Sequence, residues 1–266
     1  MILKKIKKNL LIKPKLNTID NWLINKFKKI EKNQYYSNYG PFYHQVKEKI
    51  IKILNIKNKV PVLTSSGHSS LLAIFIFIKS ITKKKYILVP SYCFHSNLQA
   101  IIMAGFEPFF CKVNLENYEF DLNNLKSVIL KHHKDIAAIN FVSVYGQPVD
   151  IELMNYIKNK YKVEVVYDAA DAFINLNRTV DNANYFICSS FHPTKNLPSN
   201  ESGLILCRRN QENVFKSIVN FGMDIKKSKK VKINGFNGKF SEYDAVLLLH
   251  NLRELKSIKK KLKNNI

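Results

Sequence analysis

Short apolar runs recur along the chain with helix-patterned segments between them, and this alternation constrains the fold more than any other feature. The runs fall at 60–63, 86–89, 107–112, 136–143, 163–167, 184–189 and 203–207, each of strand length. Segments with helical spacing separate most of them, at 68–80, 95–104, 122–132, 150–160 and 210–220. Strands alternating with helices predict an α/β three-layer sandwich with a mainly parallel sheet. The near-continuous apolar character of the runs fits, because parallel strands are covered on both faces.

Two helices are expected ahead of the first strand. One covers 19–32, capped by Thr18, with Ile19, Trp22, Leu23, Phe27 and Ile30 on one face. Pro41 opens the other, whose apolar positions are Phe42, Val46, Ile50, Ile51 and Leu54. Residues 1–17 read as a basic arm, and 240–263 as one closing helix that ends in a Lys-rich tail.

Charge raises the question of nucleic acid, since 43 Lys plus Arg oppose 20 Asp plus Glu, a net +23. The charge is spread from end to end. The Lys-rich patches at 4–8, 82–85, 226–230 and 256–263 carry no interleaved aromatics of the kind that stack bases. They read as solvated surface, and no specific nucleic-acid partner is expected. An apolar fraction of 46% excludes disorder as the main state. No uncharged apolar stretch of about 18 residues occurs, so no membrane span is expected. Cys93, Cys111, Cys188 and Cys207 form no CxxC pair, and the His residues show no ligand spacing, so neither a disulfide scaffold nor a metal site is expected. With no signal-peptide pattern at the N-terminus, the expected location is the cytoplasm.

In a parallel sheet, ligands bind beyond the carboxyl ends of the strands. After 60–63 comes Thr64-Ser65-Ser66-Gly67-His68-Ser69-Ser70 and then an apolar helix. A small polar turn at a helix N-terminus suits an anion, and reads equally as a Ser-rich helix cap. It is neither GxGxxG nor a P-loop. Strand 163–167 leads into Asp168-Ala169-Ala170-Asp171-Ala172, where Asp168 reads as a site carboxylate or as a helix cap. Strand 184–189 leads into Ser190-Phe191-His192-Pro193-Thr194-Lys195, offering a hydroxyl for phosphate and an amine that reads as a nucleophile or as a surface Lys. An anion cradle, a carboxylate, hydroxyls and an amine together suit pyridoxal 5′-phosphate, whose phosphate needs donors, whose ring nitrogen needs an acid and whose aldehyde needs a Lys.

Eight segments, in order from Asn38 to Leu255, resemble the DegT/DnrJ/StrS-type nucleotide-sugar aminotransferases, which have the type I fold of pyridoxal-phosphate enzymes. They are Asn38-Tyr39-Gly40-Pro41; Ser65-Ser66-Gly67-His68-Ser69-Ser70-Leu71; Val89-Pro90-Ser91-Tyr92-Cys93-Phe94; Gly105-Phe106-Glu107-Pro108; and Val144-Tyr145-Gly146-Gln147-Pro148-Val149-Asp150. Tyr167-Asp168-Ala169-Ala170-Asp171-Ala172, Ser190-Phe191-His192-Pro193-Thr194-Lys195 and Gly235-Phe236-Asn237-Gly238-Lys239-Phe240-Ser241-Glu242 complete the series.

The resemblance implies that Lys195 carries the cofactor and shuttles the substrate proton, and that Asp168 keeps the pyridine nitrogen protonated. It implies that Ser66, Gly67, His68 and Ser190 surround the phosphate, that Phe94 stacks on the ring, and that Asn237 reaches the phosphate of the other subunit in a homodimer. Asp171 stands where the family has a Gln or His directed at the cofactor's phenolic oxygen. The implied substrates are an amino acid, usually glutamate, and a keto-sugar nucleotide, in surface-polysaccharide precursor synthesis. The related sugar dehydratases carry His in place of the Lys, so Lys195 points away from them. His68 stands for Thr, Ser202 for Gly and Lys239 for Arg. The expected domains are 1–34 as arm and helix, 35–240 as the cofactor-binding large domain, and 241–266 as a helix leading to a C-terminal lobe that this chain is expected to lack. A non-catalytic relative that keeps the fold is the second function class.

Overall fold

The computed structural model describes residues 18–224 and 230–263. The arm expected at 1–17, with its Lys-rich patch, and residues 226–229 lie outside the described residues. In chain order the elements are α1 (Asn21–Asn33), α2 (Pro41–Leu54), β1 (Lys59–Thr64), α3 (Gly67–Ile81), β2 (Tyr86–Pro90), α4 (His95–Met103), β3 (Glu107–Cys111) and α5 (Leu122–His132). There follow β4 (Ile136–Val142), α6 (Ile151–Tyr161), β5 (Glu164–Asp168), β6 (Phe186–Ser190), β7 (Gly203–Arg208), α7 (Glu212–Ile218), α8 (Glu242–Arg253) and α9 (Leu255–Lys263).

The seven strands form one sheet in the order β1-β7-β6-β5-β4-β2-β3. The pairs from β6 through β3 are parallel, and β7 runs antiparallel to both β1 and β6. The connection from β6 to β7 holds no helix, which suits an antiparallel neighbour, whereas a parallel one needs a long crossover. Two apolar cores cover the two faces. One joins α1, α2, α5, α6 and α8 to the sheet through residues such as Leu23, Ile50, Leu125, Met154 and Leu248. The other seats α3, α4 and α7 through Leu71, Phe75, Ala100 and Phe215. Fully burying each large apolar side chain contributes about 1.5–3 kcal/mol, so α3, with Leu71, Leu72, Ile74, Phe75 and Ile78 all buried, is anchored firmly.

Local details depart from the sequence pattern in three places. Thr18 does not cap α1: Asp20 does, its carboxylate accepting from the Leu23 N–H at 2.8 Å, and Ile19 lies outside the helix and exposed. The closing helix is two helices, because Glu254 turns to ψ 3° and its N–H donates to the Asn251 carbonyl, three residues back. Gly40 and Pro41 open α2 with no local side-chain cap. The buried Glu242 carboxylate, from the start of α8, accepts instead from the N–H groups of Phe42 (2.7 Å) and Tyr43 (2.8 Å). A Cβ at position 40 would lie 2.5 Å from the Glu242 Cδ, so this close approach requires glycine.

Candidate active site

The register brings the ends of four strands to one rim. Thr64 pairs with Gly203, Gly203 with Ser190, and Cys188 with Asp168. The turn that opens α3, the acid that ends β5 and the turn that follows β6 therefore face the same crevice. The sequence-predicted residues Ser66, Gly67, His68, Asp168, Asp171, Ser190 and Lys195 all lie on these segments.

The turn that opens α3 is built by close packing. Ser66 caps α3, its hydroxyl accepting from the Ser69 N–H at 3.0 Å. The helix-cap reading of this turn thus holds, and the cap leaves the positive end of the helix toward the rim. Gly67 presses on β6, where a Cβ would meet the Ser190 Cβ at 2.7 Å and Oγ at 3.0 Å. The His68 ring shares a hydrogen bond of 3.1 Å with the Ser96 hydroxyl and ties α3 to α4. Thr64 Oγ1 bonds the Ser66 carbonyl (2.9 Å) and the Ser70 hydroxyl (2.7 Å), closing the turn from below.

Asp168 is the last residue of β5 and only 3% exposed, and no α-helix follows it to cap. Its Oδ1 accepts from the Ala170 N–H at 3.0 Å and from the Cys188 thiol at 3.5 Å. Burial pushes its carboxyl above the ordinary range, opposed by the Ala170 N–H, the Asn97 amide, the Cys188 thiol and the charge of Lys195. That last interaction puts acid and amine in one electrostatic neighbourhood.

The Lys195 amine is half-buried and paired with Asp171, at 3.0 Å from Oδ1 and 3.1 Å from Oδ2. The turn before it is fixed by the Lys195 N–H donating to the His192 carbonyl at 2.8 Å. The next residue ties the two segments together, as Asn196 Nδ2 donates to the Asp171 carbonyl at 3.0 Å. The Asp171 carboxylate thus has a cationic partner within the chain.

Two expected residues stand apart. Phe94, at the N-cap of α4, is 66% exposed and packs on His95. Asn237 is exposed, its Oδ1 accepting from Lys239 Nζ at 2.6 Å, while the neighbouring Gly238 carbonyl takes the Ser65 N–H. Sequence reasoning passed over Asn97 and Asn140, both buried beside the acid. The available signal was a polar residue inside the apolar run of β4. A cavity of about 300 Å³ opens nearby at the ends of β2 and β4, and neither Asp168 nor Lys195 lines it.

The donors fit pyridoxal 5′-phosphate: a helix N-terminus and hydroxyl for its phosphate, a buried acid for its ring nitrogen, and an amine for its aldehyde. Comparison with known proteins points the same way. The model of the DegT/DnrJ/EryC1/StrS aminotransferase family matches residues 17–266. A dTDP-4-amino-4,6-dideoxy-D-glucose transaminase of Shigella dysenteriae is 24% identical over 85% of this chain and 60% of its own length. A 3-oxo-glucose-6-phosphate:glutamate aminotransferase of Bacillus subtilis is 25% identical over 81% of this chain and 48% of its own. Among solved structures, a Bacillus cereus protein assigned as a PLP-dependent aminotransferase superposes with a TM-score of 0.83 at 25% identity, covering 93% of this chain and 67% of that one. The chain thus spans 60% or less of the length of these two curated relatives.

Proposed function

This chain belongs to the DegT/DnrJ/EryC1/StrS aminotransferase family, and we propose that it transfers an amino group, supplied by glutamate, to a keto-sugar nucleotide. The observation that carries this reading is the meeting of the α3 N-terminus, the buried Asp168 and the Lys195 amine at one rim of the sheet. When bound, pyridoxal 5′-phosphate supplies an aldehyde for the amino group and an electron sink for the charge left by proton removal.

The chain's own residues divide the remaining work. The N–H groups of Gly67 and His68 and the Ser190 hydroxyl hold the phosphate, with Ser66 fixing the turn. Asp168, ionised, holds a proton on the ring nitrogen, and the same contact compensates the cost of its burial. Lys195 would hold the group at its aldehyde and would move the proton at the substrate carbon. Asp171 orients that amine, and Phe94, exposed at the N-cap of α4, would stack on the ring. Asn237 completes the phosphate seat of a second copy in a homodimer. The setting is the cytoplasm, in surface-polysaccharide precursor synthesis. The large domain spans 35–240. No described helix is long and apolar enough to cross a membrane.

A relative that holds the cofactor without transferring anything is the second reading, favoured by the Asp171 carboxylate engaging Lys195 through both oxygens. Absorbance separates the two. Protein loaded with pyridoxal 5′-phosphate is expected to be yellow, and Lys195→Ala to lose that band. Glutamate bleaches the band in a transferase and leaves it in the non-catalytic relative. Colour that persists in Lys195→Ala refutes the tether.

A further inference from the structure

Beside the acid lies a pair of buried amides that amino transfer as described leaves without a role. Asn140 is fully buried and Asn97 is 1% exposed. Asn140 Nδ2 donates to Asn97 Oδ1 at 2.6 Å. In the β4–β5 register Asn140 lies opposite Val166 and Val142 opposite Asp168, so Asn140 and Asp168 project from the same face of the sheet. Asn97 sits in the first turn of α4, the helix packed on that face, and its Nδ2 also reaches the Phe94 carbonyl at 3.3 Å.

An amide pair is a costly choice for this position. Asn140 Oδ1 is buried and has no hydrogen-bond partner among the described residues, a standing loss that an apolar side chain of the same shape would not incur. The Asp168 carboxylate supplies a reason to keep it. The Ala170 and Cys188 donors both fall on Oδ1, and two donors on one oxygen leave the carboxylate plane free to turn. A third donor, the Asn97 amide on α4, would remove that freedom, and Asn97 is among the groups that draw the Asp168 carboxyl down against its burial. Resting on the functional reading above, we propose that Asn140 clamps Asn97 and that Asn97 fixes the orientation of the Asp168 carboxylate. Both are then positioning residues for the acid that meets the cofactor's ring nitrogen.

The groups facing Asp168 are the Cys93 thiol after β2, Tyr167 on its own strand, Cys188 on β6 and Lys195 beyond it. A double-mutant cycle of Asn97→Ala with Asp168→Asn, read by urea unfolding without cofactor, leaves all four in place. The expected coupling is about tenfold in the folding equilibrium constant at pH 8, as for a hydrogen bond to a charged group, and it is expected to fall as the pH is lowered and the acid takes up its proton. A coupling that does not fall toward acid pH, or none, overturns the proposal. Asn140→Leu gives a second measurement that does not depend on Asn97→Ala folding. It is expected to unfold at the same or higher urea than the parent, yet to bind pyridoxal 5′-phosphate about tenfold more weakly by absorbance titration. Unchanged affinity in Asn140→Leu overturns the positioning role. A parent protein that binds no pyridoxal 5′-phosphate sinks the cofactor reading instead, and the pH dependence of the cycle still decides whether Asn97 holds Asp168.

Discussion

Replacing Gly67 by alanine tests how tightly the N-terminus of α3 is pressed on the sheet. The added Cβ would sit 2.7 Å from the Ser190 Cβ, 3.0 Å from its Oγ and 3.3 Å from its Cα. Carbon atoms in good contact lie about 3.5–4.0 Å apart, so roughly 1 Å must be found. Strand β6 cannot withdraw, being hydrogen-bonded to β5 on one side and β7 on the other. Helix α3 cannot easily lift, because its apolar residues fill the core beneath it. Overpacking of this kind costs about 1–3 kcal/mol. The companion variant Ser190→Gly removes the two nearest atoms and leaves the Cα at 3.3 Å. Alone it should cost about 0.5–1 kcal/mol, the usual penalty for glycine in a strand. Combined with Gly67→Ala it should recover most of the loss, giving a coupling of about 1 kcal/mol or more by urea unfolding without cofactor. If the two costs simply add to within about 0.5 kcal/mol, the N-terminus of α3 is not held against Ser190.

Two further outcomes follow from buried ionisable groups. Lys59 is buried, donates to the Tyr185 carbonyl at 2.7 Å, and its amine is lowered by desolvation from 10.5 to about 8. The unfolded chain therefore binds more protons between these values, so stability relative to Lys59→Met should rise by about 3 kcal/mol from pH 7 to pH 11. A flat difference between the two unfolding series would show that the amine is solvated. Glu242→Ala strips two N–H groups at the start of α2 of their acceptor and should cost about 3 kcal/mol by urea unfolding, with Glu242→Gln intermediate. A loss below about 0.5 kcal/mol would mean that water satisfies those donors.

The site was legible in the sequence where chemistry and local geometry coincide. Asp168, Ser190 and Lys195 are polar residues placed just where an apolar run stops, and the ends of parallel strands share an edge by the nature of the sheet. Ser66 and Gly67 were legible as a turn that feeds a helix. The exposure of Phe94 and Asn237 in the chain depends on how loops lie over the surface, which no local pattern records. Asn97 was invisible because an Asn among polar neighbours on a short helix looks like its solvent face. Only the docking of α4 on the sheet makes it interior. Asn140 was visible as an anomaly without an explanation, since its partner lies 43 residues away. The ion pair of Asp171 with Lys195 escaped for a similar reason, because the two approach only through the turns after β5 and β6.

The placement of β1 carries a consequence for how the molecule is made. Among the described strands it pairs with β7 alone, nearly 140 residues later in the chain, and its last residue, Thr64, bridges to Lys239 later still. As the chain leaves the ribosome, the edge of β1 has no mate until β7 has been synthesised. Long-range closures of this kind are slow and leave an adhesive strand exposed meanwhile. The turn that opens α3 is therefore translated well before β7 can lock it in place.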